Sequence, residues 1–227
     1  MKNMKNSNFF LNLTVIYCVC LIVSNISAVK LVSVGIFMFP AAVFLFPITY
    51  ITNDILAEVY GYEKAKSVIW TGFSMNLAAV LFLWATTMLP SPVFFEGSAA
   101  YKTVLSNTPR MLIASLAAYL CGSFINAFIV SKLKRKTNGK HMALRLILST
   151  LVGEGLDSMI FITIAFVGDM PIQSLLTMIA TQASIKVLYE IILYPLTKSV
   201  INKIKTSEDI DTIDENVKYN PFKVIKN

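Results

Sequence analysis

Six long apolar stretches, at about 9–29, 34–52, 67–89, 110–131, 144–167 and 172–201, divide this 227-residue chain. Each is long enough to carry a helix through the ~30 Å hydrocarbon layer of a bilayer, which takes about 20 residues. A chain that crosses lipid repeatedly must satisfy its backbone within each crossing, and a helix does this locally. The expected fold is therefore all-α: a polytopic membrane protein with a six-transmembrane-helix bundle. Charged residues make up only 15% of the chain, against roughly a quarter in soluble domains, so one globular core is excluded.

The basic residues orient the bundle. With the N-terminus in the cytoplasm, sixteen of the twenty Lys and Arg lie inside, Lys30, Lys102 and Arg110 lie outside, and Lys186 falls within the last stretch. That bias predicts an N-in/C-in topology. The loop KLKRKTNGKHMALR (132–145) is its main element, and the net charge of +7 reads as orientation rather than nucleic-acid binding. The first stretch follows MKNMKN and ends near Ile26-Ser27-Ala28, which has the parts of a secretory signal; its length favours a retained first helix. Residues 1–205 are expected to form the transmembrane domain, and 206–227 (TSEDIDTIDENVKYNPFKVIKN) a solvated, polar cytoplasmic tail without a fold of its own.

Charges inside the apolar stretches carry the functional information, because each costs ~3 kcal/mol at a helix centre unless it is paired or meets water. In the fifth stretch, Glu154 and Asp157 stand three residues apart on one face between glycines. In the sixth, Gln182, Lys186, Tyr189 and Glu190 make a polar stripe at helical spacing. The short connection near Asp169-Met170-Pro171 makes these two helices antiparallel neighbours and brings Asp157 and Lys186 to similar depth. A structural salt bridge accounts for that pair, but Glu154, Asp157 and Glu190 against Lys186 leave a surplus of acid. A polar cavity or a ligand is the economical reading. In the second stretch Asp54 and Glu58 lie one turn apart after Pro40 and Pro47, and the bland alternative is that they mark the water interface. Asn25, Lys30 and Asn76 are weaker candidates.

Enzyme chemistry finds little purchase. The chain has no HExxH, GxSxG, GxxxxGK[ST] or GxGxxG motif, and its one histidine, His141, sits in the basic loop. Cys18, Cys20 and Cys121 all lie in apolar runs, which suits neither a disulfide framework nor a zinc site. No catalytic residue, cofactor or metal is expected.

The blocks SNISAVK (24–30), FPITYITNDILAEVYGYEKAKSVIWTGFSMN (46–76), VGEGLDSMIFITIAFVG (152–168) and KVLYE (186–190) followed by Pro195 resemble, in order and spacing, the queuosine precursor transporter family, also called the vitamin uptake transporter family. The resemblance covers roughly residues 12 to 205, with Glu154 standing where the family pattern leads one to expect Gln. It implies a bacterial inner-membrane importer of 7-deazaguanine precursors of queuosine, the 7-cyano and 7-aminomethyl compounds or the queuine base. The partners it implies are that small molecule and the lipid bilayer, with a homo-oligomer left open and no separate ATPase expected. The chemistry agrees, since the N1–H and 2-amino donors of a deazaguanine match a carboxylate and its flat ring suits aromatic faces such as Tyr50, Phe46, Phe161, Phe166 and Tyr189. The expected substrate-binding set is Asn25, Lys30, Tyr50, Asp54, Glu58, Glu154, Asp157, Gln182, Lys186 and Glu190. The competing readings are a substrate-binding membrane subunit served by a partner ATPase, and a membrane scaffold whose inner charges only clasp helices.

Overall fold

A computed structural model describes residues 8–35, 37–105, 109–215, 217 and 219–222. Seven helices follow one another as α1 (Asn8–Ser27), α2 (Phe46–Tyr60), α3 (Tyr62–Thr87), α4 (Ser98–Leu105), α5 (Pro109–Lys136), α6 (Met142–Phe166) and α7 (Ile172–Glu208). They fall in six segments long and apolar enough to cross a membrane among the described residues, the short α4 sharing one with α5. The expected class, a six-span helical bundle, is the one observed.

The second crossing differs most from its expected form. Instead of a helix from about 34, residues Leu31–Val34 (β1) and Phe37–Pro40 (β2) form a small antiparallel hairpin. A 3-10 turn at Ala41–Phe44 follows, and α2 begins only at Phe46. Proline explains both breaks. Pro40 closes the hairpin, where a missing N–H is tolerated at an edge, and Pro47 occupies the first turn of α2, where that N–H has no helical partner. The helix then runs eight residues past its expected end. It is the most enclosed of the spans, and Thr52 through Val59 are all buried. A helix with so little lipid contact can carry Asp54 and Glu58.

Elsewhere, α1 apart, the spans are longer than the apolar runs that announce them. Helix α3 begins at Tyr62 because the charged segment Glu63–Lys66 continues the helical pattern. At 37 residues α7 is ~55 Å long at 1.5 Å per residue, well beyond the hydrocarbon thickness. The main core joins α1, α2, α3 and α5 through Tyr17, Leu21, Leu56, Ile69 and Ala127. Large apolar side chains such as Val19, Phe82, Leu151 and Ile192 face outward, as lipid contact requires. Helices α5 and α6 meet at Gly122 and Gly153. A β-carbon at Gly122 would stand 2.9 Å from the Gly153 carbonyl and 2.1 Å from Tyr50 Oη, so only hydrogen fits there.

The C-terminal segment corrects the expectation of a solvated tail. After Asp209 the chain turns back, and the Thr212 N–H donates to the Val59 carbonyl at 3.1 Å. Asp214, 7% exposed, accepts from the Tyr62 N–H at 2.9 Å and from Ser131 Oγ at 2.5 Å. Tyr219 packs edge-on against Tyr62 and Phe128, and Trp70 Nε1 donates to the Pro221 carbonyl at 2.8 Å. The physical reason lies at Gly61, which joins α2 to α3 with φ +84°. It exposes the first N–H groups of α3, which have no helical acceptor, and Asp214 caps them from 152 residues away.

Candidate functional site

The expected site residues fall into three groups along the bundle. The first surrounds a cavity bounded by α1, α2, α5, α6 and α7. Lys186 Nζ donates to Asp157 Oδ2 at 2.6 Å, with both residues buried. The same ammonium lies 4.7 Å from the Phe46 ring centre and 5.8 Å from that of Tyr50, so the cation is held between a carboxylate and aromatic faces. Asn25 and Gln182 complete the polar wall, together with Ser24 and Ser115. Asn25 is fixed from two sides, donating to Asn76 Oδ1 at 2.7 Å and accepting from Ser115 Oγ at 2.5 Å. Ser24 Oγ and Gln182 Oε1 have no hydrogen-bond partner among the described residues. The free space measures ≈ 30 Å³, room for about two waters.

A second group lies deeper, between α2, α6 and α7. Asp54 and Glu154 are fully buried and Glu190 is 3% exposed. Thr150 donates its hydroxyl to Glu190 Oε2, and Ser149 Oγ approaches Asp54 Oδ1 at 3.4 Å. Asp54 Oδ2, Glu190 Oε1 and both Glu154 oxygens have no partner among the described residues. Tyr50 brings its unpartnered hydroxyl to the same region.

The third group gathers at the end of the bundle that carries the basic loop, and it takes Glu58 away from the cavity. Arg145 grips Glu58 bidentately, Nε and Nη2 each at 2.7 Å. Lys205 donates to the same carboxylate at 2.6 Å, and Lys134 Nζ stands 3.6 Å from it. Lys134 also donates to Asp211 Oδ1 and to the Thr212 carbonyl, and Lys205 reaches Asp211 at 2.9 Å. Burial pushes the Asp211 carboxyl up, but Lys134 and Lys205 outweigh that effect and hold it below the usual carboxylate range.

Of the ten expected residues, Asn25, Asp157, Gln182 and Lys186 line the cavity, with Tyr50 touching Lys186. Asp54, Glu154 and Glu190 stand behind it, and Glu58 belongs to the ion network. Lys30 is exposed at the approach to β1 and joins none of them. Sequence reading missed Ser24 and Ser115, whose hydroxyls give no signal in a helix. It also missed the structural work of Lys134, Arg145 and Lys205, which looked like topology charges. The available clue was Arg145, which falls just inside an apolar stretch.

Fold and site together define a multi-pass membrane protein of the kind that encloses a polar cavity within helices. Residues 40–200 match the model of a family described as "Putative vitamin uptake transporter", and the chain belongs to that transporter family. It is 29% identical over 124 residues to a "Probable queuosine precursor transporter" of Bacillus subtilis (strain 168), covering 54% of this chain and 54% of the relative. To a protein of the same description from Haemophilus influenzae (strain ATCC 51907 / DSM 11121 / KW20 / Rd) it is 25% identical over 121 residues, 53% of this chain and 49% of the relative. The match spans about half the length of these curated relatives. No solved structure matches.

Proposed function

We propose that this chain imports 7-deazaguanine precursors of queuosine into the cytoplasm by alternating access, binding them in the cavity around Asp157 and Lys186. The observation that carries this reading is the set of groups on the cavity wall: a buried carboxylate, a buried ammonium over an aromatic ring, and Gln182 and Ser24 with unused polar atoms. A deazaguanine edge offers adjacent N–H donors to Asp157, which Lys186 holds in place, and its ring stacks on aromatic faces such as Phe46. Gln182 supplies an acceptor to an exocyclic amino group and discriminates against solutes that lack it. With ≈ 30 Å³ of free space, the cavity takes a bicyclic solute only when its walls part, which suits an occluded stage between outward and inward openings.

In this reading the bundle sits N-in/C-in in the inner membrane, which places the basic loop and the Glu58 network at the cytoplasmic end. The network then closes the inner mouth while the cavity is empty. Uptake of radiolabelled 7-cyano-7-deazaguanine into cells lacking their own importer tests the proposal. Saturable uptake, competed by the aminomethyl and queuine compounds more strongly than by guanine, is expected. Uptake by the purified chain in liposomes dispenses with an ATPase partner; no uptake from a stably expressed protein overturns the reading.

A further inference from the structure

Four carboxyls, those of Asp54, Glu154, Asp157 and Glu190, are buried in the middle of the bundle around one base, Lys186. That base is committed to Asp157 at 2.6 Å, and the other bases near α2 are taken up by Glu58. Ser149 and Thr150, neighbours on α6, hydrogen-bond Asp54 and Glu190 respectively, which gathers the two carboxyls at one place along that helix. Two bare carboxylates buried side by side repel, and a shared proton relieves that repulsion, as in other buried acid dyads. The surroundings are built to hold such a pair: Thr150 donates to Glu190 and Ser149 to Asp54. One further buried group borders it with an unused polar atom, the Tyr50 hydroxyl.

We propose that the Asp54–Glu190 pair binds and releases one proton in each transport cycle, making uptake proton-coupled. The proposal rests on the transport reading above and adds its driving force. The titratable groups bearing on the pair are Glu154 from α6 and Tyr50 from α2, with Asp157 and Lys186 acting on Glu154 beyond them, while α5 presents the neutral Asn126. Lys186 stands one helical turn from Glu190 on α7, and this spacing supplies the coupling. With the proton in place Lys186 stays on Asp157 and the cavity keeps the form described. When the proton leaves to the cytoplasm, the new negative charge draws Lys186 away from Asp157, the solute loses its arranged partners, and proton and solute depart on the same side.

Proteoliposomes of the purified full chain, given radiolabelled 7-cyano-7-deazaguanine at clamped zero potential, test this. For one proton per neutral solute, an inward gradient raises internal solute up to about tenfold per pH unit, and adding solute acidifies a trapped pH dye. Glu190→Gln and Asp54→Asn are expected to abolish that gradient response. Wild-type exchange of labelled for unlabelled solute separates the two readings, because it needs no driving force. Exchange without gradient response or dye acidification overturns proton coupling alone, as does accumulation driven by a sodium gradient instead. Absence of exchange in the wild type removes the transport reading and the proton with it. The wild-type gradient and dye measurements decide the matter even if neither variant folds.

Discussion

Asp54 and Glu58 occupy successive turns of α2, both without exposure, yet Glu58 is gripped by Arg145 and Lys205 at 2.7 and 2.6 Å while no base reaches Asp54 Oδ2. One helix face thus presents two acids in opposite electrical settings. The neutralised one holds the bundle together. The unneutralised one is available for change.

Removing Glu58 strands buried cations. Glu58→Gln leaves Arg145, 1% exposed, without its carboxylate and Lys134 with Asp211 alone, and breaking a buried pair from one side costs about 3–5 kcal/mol. A large drop in the melting temperature of the detergent-solubilised protein is expected. Lys30→Gln, at an exposed position, serves as the silent control.

The Asp157–Lys186 pair separates a clasp from a solute site. Lys186→Ala leaves Asp157 buried and unpaired and should lower both stability and uptake. The double variant Asp157→Asn with Lys186→Met removes both charges, and such swaps are often neutral for stability. Recovered stability with uptake still absent is the expected outcome; recovered uptake would reduce the pair to a clasp.

Two glycines of the same region should behave oppositely. At Gly122 a new β-carbon meets Tyr50 Oη at 2.1 Å and the Gly153 carbonyl at 2.9 Å, whereas at Gly155 nothing lies within 4 Å. Gly122→Ala is expected to destabilise by about 1–3 kcal/mol through overpacking and to lose uptake. Gly155→Ala should be neutral or gain up to ~1 kcal/mol of helix propensity. Thermal melts and uptake on the two variants check this.

The C-terminal strap should loosen in acid. Asp211 sits below the usual carboxylate range through Lys134 and Lys205, so its contribution is complete above pH ~4, the ordinary aspartate value, and is lost as pH falls through its lowered folded value. Trp70, which touches Pro221 and Phe222, reports the strap in a Trp84→Phe background. Its fluorescence should shift below pH 4, and Asp211→Asn should give the shifted signal at neutral pH.

Orientation is open to direct labelling. A cysteine at Asn138, in the loop between α5 and α6, should react with a membrane-impermeant maleimide only in inverted vesicles. One at Ser91, beyond α3, should react only in intact cells stripped of the outer membrane. Reversal of the pattern would overturn the N-in/C-in arrangement.

The crossings themselves were readable because lipid imposes length and apolarity residue by residue. The Asp157–Lys186 encounter was readable too, since a short connection between antiparallel helices brings matched depths together. The hairpin between Leu31 and Pro40 was hidden because hairpin and helix both accept a short apolar run such as LVSVGIFMFP (31–40), and only Gly35 and Pro40 speak against the helix. The assignment of Glu58 and the docking of Asp214 depend on partners 87 and 152 positions away. Pattern along one segment carries no trace of such distant neighbours.

Pro195, inside α7, gives the longest helix a mechanical character. Without an N–H it leaves the Ile191 carbonyl without its helical donor and weakens the rod there. Gln182, Lys186 and Glu190 lie on one side of that weak point and Lys205 on the other, ten residues or ~15 Å away at 1.5 Å per residue. A bend of about 10° at Pro195 swings Lys205 through ~2.6 Å over that arm, enough to part it from Glu58. Helix α7 is in this sense a rod with one soft joint, the buried polar cavity on one side of it and the Glu58 ion network on the other.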